Sequence, residues 1–258
     1  MVQYGERVIK KDHTGEDVVE LQVRLAGFRG TLPDGIFGSG TELQVVSFQR
    51  DYMERDAPTG VVDVATMDAI DAFAAQYPIN FEKLKCPCGE CGGFGQGKFK
   101  GKYRSGKDRI EAFYRYEYPG IHRMLLWAVR GVFHYFPNYD FIITSGYRCS
   151  VHNKMKKRSS TNHHGKAIDL DVPRKAGEDK RDDMIRCDKI RGGLVELANA
   201  QIGWNANNRK ALEPSNIAPT WVHYDVRSYQ RKYLKEHFFC TDLETLDSPV
   251  RRTDASED

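Results

Sequence analysis

The chain has 258 residues, of which 40% are hydrophobic, 11% aromatic and 29% charged. This composition is typical of a folded globular protein and excludes collagen-like and disordered classes. No run of about 18 apolar residues predicts a transmembrane helix. The N-terminal sequence MVQYGERVIKKDHTGED contains no apolar segment typical of a signal peptide, so we expect synthesis without a secretory leader.

Charge is distributed unevenly along the chain. Residues 1–76 carry 7 basic and 13 acidic side chains, whereas the remainder carries 32 and 23, for an overall net charge of +3. The basic remainder favours an anionic partner, either nucleic acid or an anionic cell-wall polymer. Ordinary solubility accounts for the same charge equally well, so this feature alone leaves the partner open.

The first part of the chain predicts three helices separated by turns. TGEDVVELQVRL begins with Thr14 as the expected N-cap and places acidic residues in the first turn, where they complement the helix dipole. A second helix follows the LPDGIFG turn, with Ser39 or Thr41 as its cap, and ATMDAIDAFAA predicts the third. The apolar spacing assigns three residues to the buried side of the second helix: Leu43, Val46 and Phe48.

The landmarks of these helices and turns occur in a characteristic order. Gly15 and the LQ pair of the first helix are followed by DGIFG with Thr41, by the FQ pair of the second helix, and by GVVD with Thr66. This order resembles the peptidoglycan-binding domain type 1 over residues 14–76. The resemblance implies a three-helix bundle that binds the bacterial cell wall, with peptidoglycan as the partner.

A glycine- and lysine-rich stretch follows this module. We expect the domain boundary within residues 77–84, which gives domains of 1–78 and 79–258. The stretch CPCGECGGFGQGKFKGKYRSGKDR beyond it is either a flexible linker or an ordered loop at the edge of a site.

Six cysteines stand at positions 86, 88, 91, 149, 187 and 240. The first three lie in CPCGEC, a spacing that suits metal binding or a local crosslink better than a disulfide framework. Cys86, Cys88 and Cys91 are candidates to share a structural metal with Cys149 or another residue, because thiolates are preferred zinc ligands. The C-x-C spacing differs from the usual C-x₂-C knuckle, however, and favours a free or partly crosslinked cluster.

The C-terminal part predicts one long helix followed by short strands. Residues 119–136, PGIHRMLLWAVRGVFHYF, place apolar residues on one helical face, and we interpret His122 and His134 as packed or surface residues. Strands are predicted at 141–144, in AIDLDV and in TWVHYDV, which indicates an α+β fold. The polar end of the chain, residues 243–258, predicts a solvated terminus.

Histidines and aspartates concentrate on the two later strands. NHHGKAIDLD and TWVHYDV together contain three histidines and three aspartates. Catalytic zinc sites commonly combine three histidine and carboxylate ligands with an open position for water. Because alternate side chains of a strand share a face, ligands on adjacent antiparallel strands can meet in one cleft. Surface histidines with turn-forming acids are the other interpretation of this pattern.

Three motifs of the C-terminal part follow a family order. SGYR at 145–148, TNHHGKAID at 161–169 and WVHYD at 221–225 resemble the zinc peptidases of the D-Ala-D-Ala carboxypeptidase family, which include vancomycin-resistance dipeptidases and several phage endolysins. The resemblance spans about residues 80–228. It implies a zinc peptidase domain with a central antiparallel sheet flanked by helices.

The resemblance also implies a Zn²⁺ ion bound by His163, Asp169 and His223. The family motif is H-x-x-G-x-A-x-D. When its glycine is aligned with Gly165, its histidine position falls on Asn162, one residue before His163. The pair His164 and Asp171 restores the family spacing but loses the glycine register. We therefore favour the first set and expect His164 to contact substrate.

Two further roles follow from the family pattern. Arg148 of SGYR would bind a substrate carboxylate or carbonyl and stabilise the oxyanion, with Ser145 positioning the substrate backbone. A structural salt bridge is the alternative for Arg148. Many family members carry an acid three residues before the last zinc histidine, but that residue here is Thr220. Asp225 is then the candidate general base or a residue that orients a zinc ligand, and Glu213 is the other candidate base.

Together these patterns predict a modular peptidoglycan hydrolase, a zinc-dependent endopeptidase or carboxypeptidase that cleaves stem peptides or their crosslinks. A wall-binding module fused to a peptidase without a leader resembles a phage endolysin. Such a monomer would be made in the host cytoplasm and reach the periplasmic wall through holin-type release, without membrane insertion or nucleic-acid binding. The alternatives are a non-catalytic wall-binding protein with a degenerate peptidase domain and, from the basic residues 98–109 and CPCGEC, a nucleic-acid-binding protein.

Overall fold

The computed structural model describes residues 2–30, 32–95, 117–158, 162–203 and 211–249. Within these ranges the chain forms helices and two sheets, so the α+β prediction is confirmed. The basic stretch 98–109, which supports the nucleic-acid alternative, lies outside the described residues. None of the helices in these ranges combines the length and the hydropathy that crossing a bilayer requires.

The N-terminal region contains the three predicted helices: α1 (Glu16–Arg24), α2 (Ser39–Asp51) and α3 (Val64–Gln76). On α2 the predicted burial of Phe48 is confirmed, whereas Leu43 is 45% exposed and its prediction was wrong. The inward face of α2 is partly polar, because Gln44 is buried and donates to the Gln22 carbonyl oxygen of α1. Apolar spacing in the sequence does not reveal buried polar positions such as Gln44.

Glycines cap the first two helices, so the predicted caps Thr14, Ser39 and Thr41 were wrong. Gly15 precedes α1 with φ 143°, a conformation that residues with a side chain rarely adopt. A Cβ atom at this position would also lie 2.6 Å from a carboxylate oxygen of Asp17. The start of α1 is therefore decided by backbone geometry rather than by a hydroxyl cap.

The C-terminal part alternates short strands with helices. In chain order its elements are β1 (Ile121–His122), α4 (Arg123–Tyr135), β2 (Ile142–Ser145), α5 (Ser150–Met155), β3 (Ala167–Asp171), α6 (Lys180–Ala198), β4 (Gln201–Ile202), β5 (Ala211–Leu212), β6 (Val222–Asp225), β7 (Phe239–Cys240) and α7 (Leu243–Asp247). The helix predicted over 119–136 is shorter, since residues 121 and 122 pair with β7 and the His122 ring accepts from the Met124 amide.

The central sheet has the strand order β2-β3-β6-β5-β4. Its described pairings are antiparallel except between β4 and β5, which are parallel. In this register Asp169 of β3 lies opposite both Ser145 of β2 and His223 of β6. Directly paired residues of antiparallel strands point to the same face. The register therefore lines up three predicted site residues in one row across the sheet.

One continuous apolar core joins the N-terminal helices to the C-terminal part at α1 and α4. A Cβ atom on Gly27 would lie only 2.8 Å from the Cα atom of Gly131, so the two backbones are in close contact. Beside them, Arg123 donates to the buried Glu20 carboxylate at 2.7 and 2.9 Å. Residues on both sides of position 78 belong to this one core. The packing therefore does not mark a domain boundary there, and the boundary stays a prediction.

The chain end predicted to be solvated is ordered over residues 243–247. These residues form α7, and the Leu246 side chain is fully buried. Arg123 donates to the Leu246 carbonyl oxygen, and Arg130 donates to the Asp247 carboxylate at 2.6 Å. The prediction was wrong here because a single leucine and two distant guanidinium groups hold a segment whose composition is polar.

Candidate metal centre

The three residues predicted as zinc ligands converge in one cleft. One donor atom from each of His163, Asp169 and His223 lies within 4.8 Å of the others. Oδ1 of Asp169 is 2.7 Å from Nδ1 of His223 and 3.4 Å from Nε2 of His163. The alternative pair of His164 and Asp171 is not brought together in this way. The structure thus groups the set that kept the glycine register.

His163 is held by the loop that follows β2. Its Nδ1 donates to the Gly146 carbonyl oxygen at 2.7 Å, and its own carbonyl oxygen accepts from the Arg148 amide at 2.8 Å. Burial lowers the pKa of His163, so its imidazole is neutral near pH 7. With Nδ1 protonated and bound to a carbonyl, the lone pair of Nε2 faces Asp169.

His223 is held from behind by Asp225. Its Nε2 lies 2.9 Å from Oδ2 of Asp225, while its Nδ1 faces Asp169. Arg227 completes the arrangement, because its Nε donates to the same Asp225 oxygen at 2.5 Å and its Nη2 lies 3.0 Å from Nε2 of His223. Burial by itself would lower the pKa of His223, but the two carboxylates outweigh burial and raise this pKa to about 9.

Asp169 lies between the histidines and Arg148. Its Oδ1 faces the two imidazoles, and its Oδ2 accepts from Nη2 of Arg148 at 2.6 Å. Burial would raise the pKa of Asp169, but its interactions with His163 and His223 hold this pKa well below the usual range, so the carboxylate is ionised. Arg148 also donates from Nε to the Ser145 hydroxyl at 2.7 Å. The salt bridge considered for Arg148 is therefore present, in addition to its position in the cleft.

The cleft has a volume of about 800 Å³. Its wall includes Ser145, Arg148, Thr220 and Glu213 as well as the three converging residues. Glu213 lies beside the group because its amide donates to the His223 carbonyl oxygen at 3.2 Å. Its carboxylate lies 3.3 Å from Nη2 of Arg227.

Two residues with predicted roles in substrate chemistry lie away from the cleft wall. Asp225 is fully buried behind His223, with Oδ1 accepting from the Arg227 amide at 2.9 Å. His164 is buried, and its Nε2 lies 3.1 Å from the Asn153 amide nitrogen. This geometry favours an orienting role for Asp225 over proton transfer. His164 is not among the residues that line the cleft, and its contact with substrate stays a prediction.

The donor set fits a divalent transition metal. Two imidazoles and one carboxylate, with the cleft on their open side, are the ligand chemistry of catalytic zinc sites. Each imidazole has its far nitrogen bound to a carbonyl or a carboxylate, and such outer partners fix the tautomer of metal-binding histidines. Sequence patterns indicated the candidate ligands but missed two sets of contacts around them. Gly146 binds His163 from 17 residues away, and Arg227 contacts His223 and Asp225 from the segment directly after β6.

A second group with metal-binding potential lies nearby. One sulfur each from Cys86, Cys88, Cys91 and Cys149 lies within 4.8 Å of the others. All four are free cysteines, and all but Cys88 are buried. The structure thus brings the cysteines of CPCGEC close to Cys149. The interpretation that the four cysteines share a metal requires this proximity.

Comparison with known families identifies the N-terminal region. The family model described as "Putative peptidoglycan binding domain" matches residues 14–70. This match supports an N-terminal peptidoglycan-binding domain, as the motif order implied, and it supports peptidoglycan as the partner. No curated protein matches the chain. The resemblance of the C-terminal part to zinc peptidases therefore stays a prediction from its motifs.

Proposed function

We propose that the C-terminal part is a zinc-dependent peptidase that hydrolyses peptide bonds of peptidoglycan while the N-terminal domain binds the wall. The observation that carries this proposal is the convergence of His163, Asp169 and His223 beside Arg148 in one cleft. A wall-binding domain fused to such a centre concentrates the enzyme on its polymeric substrate, which raises the local concentration of scissile bonds.

His163, Asp169 and His223 would hold the zinc ion through the donor atoms that face one another. When bound there, zinc acts as a Lewis acid and lowers the pKa of a water molecule toward about 7. The protein supplies fixed orientation: the carbonyl of Gly146 holds one imidazole and the carboxylate of Asp225 holds the other. Preorganised ligands reduce the reorganisation that reaction would otherwise require.

Arg148 is the residue placed to bind the substrate carbonyl. Its guanidinium is anchored by Ser145 and Asp169, and it lines the cleft with 13% of its side chain exposed. A fixed guanidinium beside the reacting carbonyl stabilises the negative charge that develops on the oxygen during attack. Because Arg148 is bound to Asp169, the position of its guanidinium depends on the position of a proposed metal ligand.

Glu213 is the carboxylate placed to accept a proton in the cleft. It is partly exposed, lines the cleft and follows β5, next to His223. Asp225 has both oxygens engaged by His223 and Arg227 and lies outside the cleft wall. We therefore assign proton transfer to Glu213 and ligand orientation to Asp225.

The cleft wall carries side chains of both charges. Lys83, Lys85 and Arg158 lie in it together with Glu82 and Asp171, and Lys85 donates to Glu82 at 2.7 Å. Stem peptides of peptidoglycan carry free carboxylates, which such basic side chains attract. Cleavage within stem peptides or crosslinks would weaken the wall, which is the action expected of a phage endolysin in host lysis.

Mass spectrometry of digested peptidoglycan tests this proposal. Purified peptidoglycan is incubated with the full-length protein alone, with a chelator, and with a chelator followed by excess Zn²⁺. We expect new amino termini that disappear with the chelator and return with zinc, and their masses identify the scissile bond. His163→Ala should release none, whereas His237→Ala, a change outside the cleft, should behave as the unmodified protein.

The opposite result has a defined meaning. If the protein pellets with peptidoglycan but releases no peptide in any zinc condition, the C-terminal part is not a peptidase. The protein would then be a wall-binding protein with a degenerate peptidase domain.

A further inference from the structure

The four-cysteine group has the dimensions of a metal site. The sulfur of Cys149 is 3.5 Å from that of Cys88 and 3.7 Å from that of Cys86. A tetrahedral zinc ion with Zn–S bonds of about 2.3 Å places its sulfurs about 3.8 Å apart. These separations far exceed the length of about 2.05 Å of an S–S bond. The four sulfurs therefore form one compact group of free thiols rather than bonded pairs.

Backbone amides point at three of the sulfur atoms. The Glu90 amide donates to Cys88 at 3.3 Å, the Cys149 amide to Cys86 at 3.4 Å and the His152 amide to Cys149 at 3.3 Å. Hydrogen bonds to the charged form of an acid favour that form, so these amides favour thiolates. Burial opposes this and raises the pKa of the Cys86 and Cys149 thiols, so thiolates so close together would need a cation to neutralise them.

The loop that carries CPCGEC is shaped to bring its sulfurs together. The Cys86 amide donates to the Gly93 carbonyl oxygen at 2.7 Å, which closes the segment on itself. Gly89, Gly92 and Gly93 have φ values of 75°, 64° and 109°, a region that favours glycine. The C-x-C spacing, which differs from the usual knuckle, is thus accommodated by this turn-rich backbone.

We infer that Cys86, Cys88, Cys91 and Cys149 bind a structural zinc ion, separate from the proposed catalytic one. Four thiolates fill a tetrahedral shell and leave no position for substrate, as in structural zinc sites. The ion joins the segment after residue 84 to the loop that follows β2.

This ion would support the wall of the cleft. Cys149 is adjacent in sequence to Arg148, and Pro87, between two of the cysteines, lines the cleft. The same two segments are already in contact, since the Tyr147 amide donates to the Leu84 carbonyl oxygen at 2.7 Å. A Cβ atom on Gly146 would lie 2.5 Å from the Leu84 Cα atom. The zinc ion would therefore fix the backbone on which Arg148 is carried.

Metal analysis of the full-length protein tests the inference without relying on catalysis. Elemental analysis should find two zinc ions per chain in the unmodified protein and one in His223→Ala. Cys88→Ser should also retain one ion, since it removes a ligand of the cysteine group only. Cys88 is chosen because it is the least buried member of that group. The variant that combines both changes should retain none. Cys187→Ser is the matched control, since it alters a buried cysteine of α6 outside the group, and it should retain two.

A spectroscopic readout covers the case in which Cys88→Ser fails to fold. His223→Ala loaded with Co²⁺ should show intense near-ultraviolet thiolate-to-cobalt charge transfer, and a thiol-specific mercurial should abolish it. Absence of these bands, or a disulfide among the four cysteines in non-reduced peptide maps, would overturn the inference. The inference is independent of the proposed activity, because an inactive protein with one thiolate-bound metal would contradict only the peptidase proposal.

Discussion

The two candidate metal-binding groups of this chain differ in ligand chemistry and in their position relative to the cleft. The cysteine group offers four sulfurs close to one another, whereas the histidine-aspartate group offers three donors that line the cleft. A filled tetrahedral shell stabilises structure, and a shell with an open position allows chemistry. The comparison shows how one small region combines a donor set suited to a structural metal with one suited to a reactive metal.

The two groups are also connected through a single loop. Residues 145–149 carry Ser145 and Arg148 toward the aspartate and Cys149 toward the other cysteines. His163 is attached to the same loop through the Gly146 carbonyl oxygen. A metal bound by the cysteine group would therefore fix the loop that carries Ser145 and Arg148 beside the histidine-aspartate group.

Removal of the charge at Asp169 should give the largest effect. Asp169→Asn keeps the size of the side chain but removes the carboxylate shared by both histidines and Arg148. We expect peptide release to fall to the uncatalysed background and one zinc ion to be lost, with the cysteine-bound ion retained. Peptide release and elemental analysis check this. Retention of both ions would show that Asp169 is not a ligand.

Glu213→Gln should separate proton transfer from metal binding. General acid–base catalysis typically contributes about 10²- to 10⁴-fold. We expect kcat to fall within that range while zinc content is unchanged, measured on a soluble stem peptide at several pH values. An unchanged kcat would return the role of base to another carboxylate, with Asp225 as the next to test.

Arg148→Ala should lower kcat/KM by about 10²- to 10³-fold, the usual effect of losing one group that stabilises an oxyanion. Its zinc content should stay at two ions per chain. Arg158→Ala is the control, since it removes another positive charge from the cleft wall without touching Asp169. We expect Arg158→Ala to lower kcat/KM by less than Arg148→Ala does. An equal loss of kcat/KM in the two variants would indicate that Arg148 only attracts an acidic substrate.

Asp225→Asn should give the smallest effect of this series. Outer partners of metal-bound histidines typically contribute about 10- to 100-fold in metal affinity or activity. We expect zinc affinity at the histidine-aspartate group to fall by that factor, as measured by competition with a chromophoric chelator. Excess zinc should restore most of the activity. Activity that excess zinc fails to restore would point to a direct part in proton transfer.

The sequence indicated which residues converge in the candidate metal centre, but it did not indicate what surrounds them. The strands AIDLDV and TWVHYDV were apparent from alternation, and their pairing opposes Asp169 to His223. His163 competed with His164, and the glycine register of the motif favoured His163. Its contact with the Gly146 carbonyl oxygen joins two loops that are 17 residues apart, which no local pattern records.

Helix ends and the chain terminus show the same limit. Hydroxyl residues predicted caps for α1 and α2, but Gly15 and Gly38 occupy those positions. Gly15 has a positive φ and a close neighbour that a side chain would meet, whereas nothing in the structure explains the glycine at 38. The polar composition after residue 243 predicted solvation, but Leu246 is buried beside α4. The composition of a segment reports its average polarity. A single buried side chain such as Leu246 can nevertheless keep the segment ordered.

The sequence by itself determined the α+β class, the wall-binding domain and the residue types of both metal-binding groups, since these depend on local periodicity and on motifs. Only the tertiary structure decided that four cysteines meet, that Asp225 lies behind His223, and that Glu213 lines the cleft. These facts depend on strand register and on contacts between distant segments. Their physical reason is that packing fixes which side chains share a face, and a linear pattern carries that information only within one element.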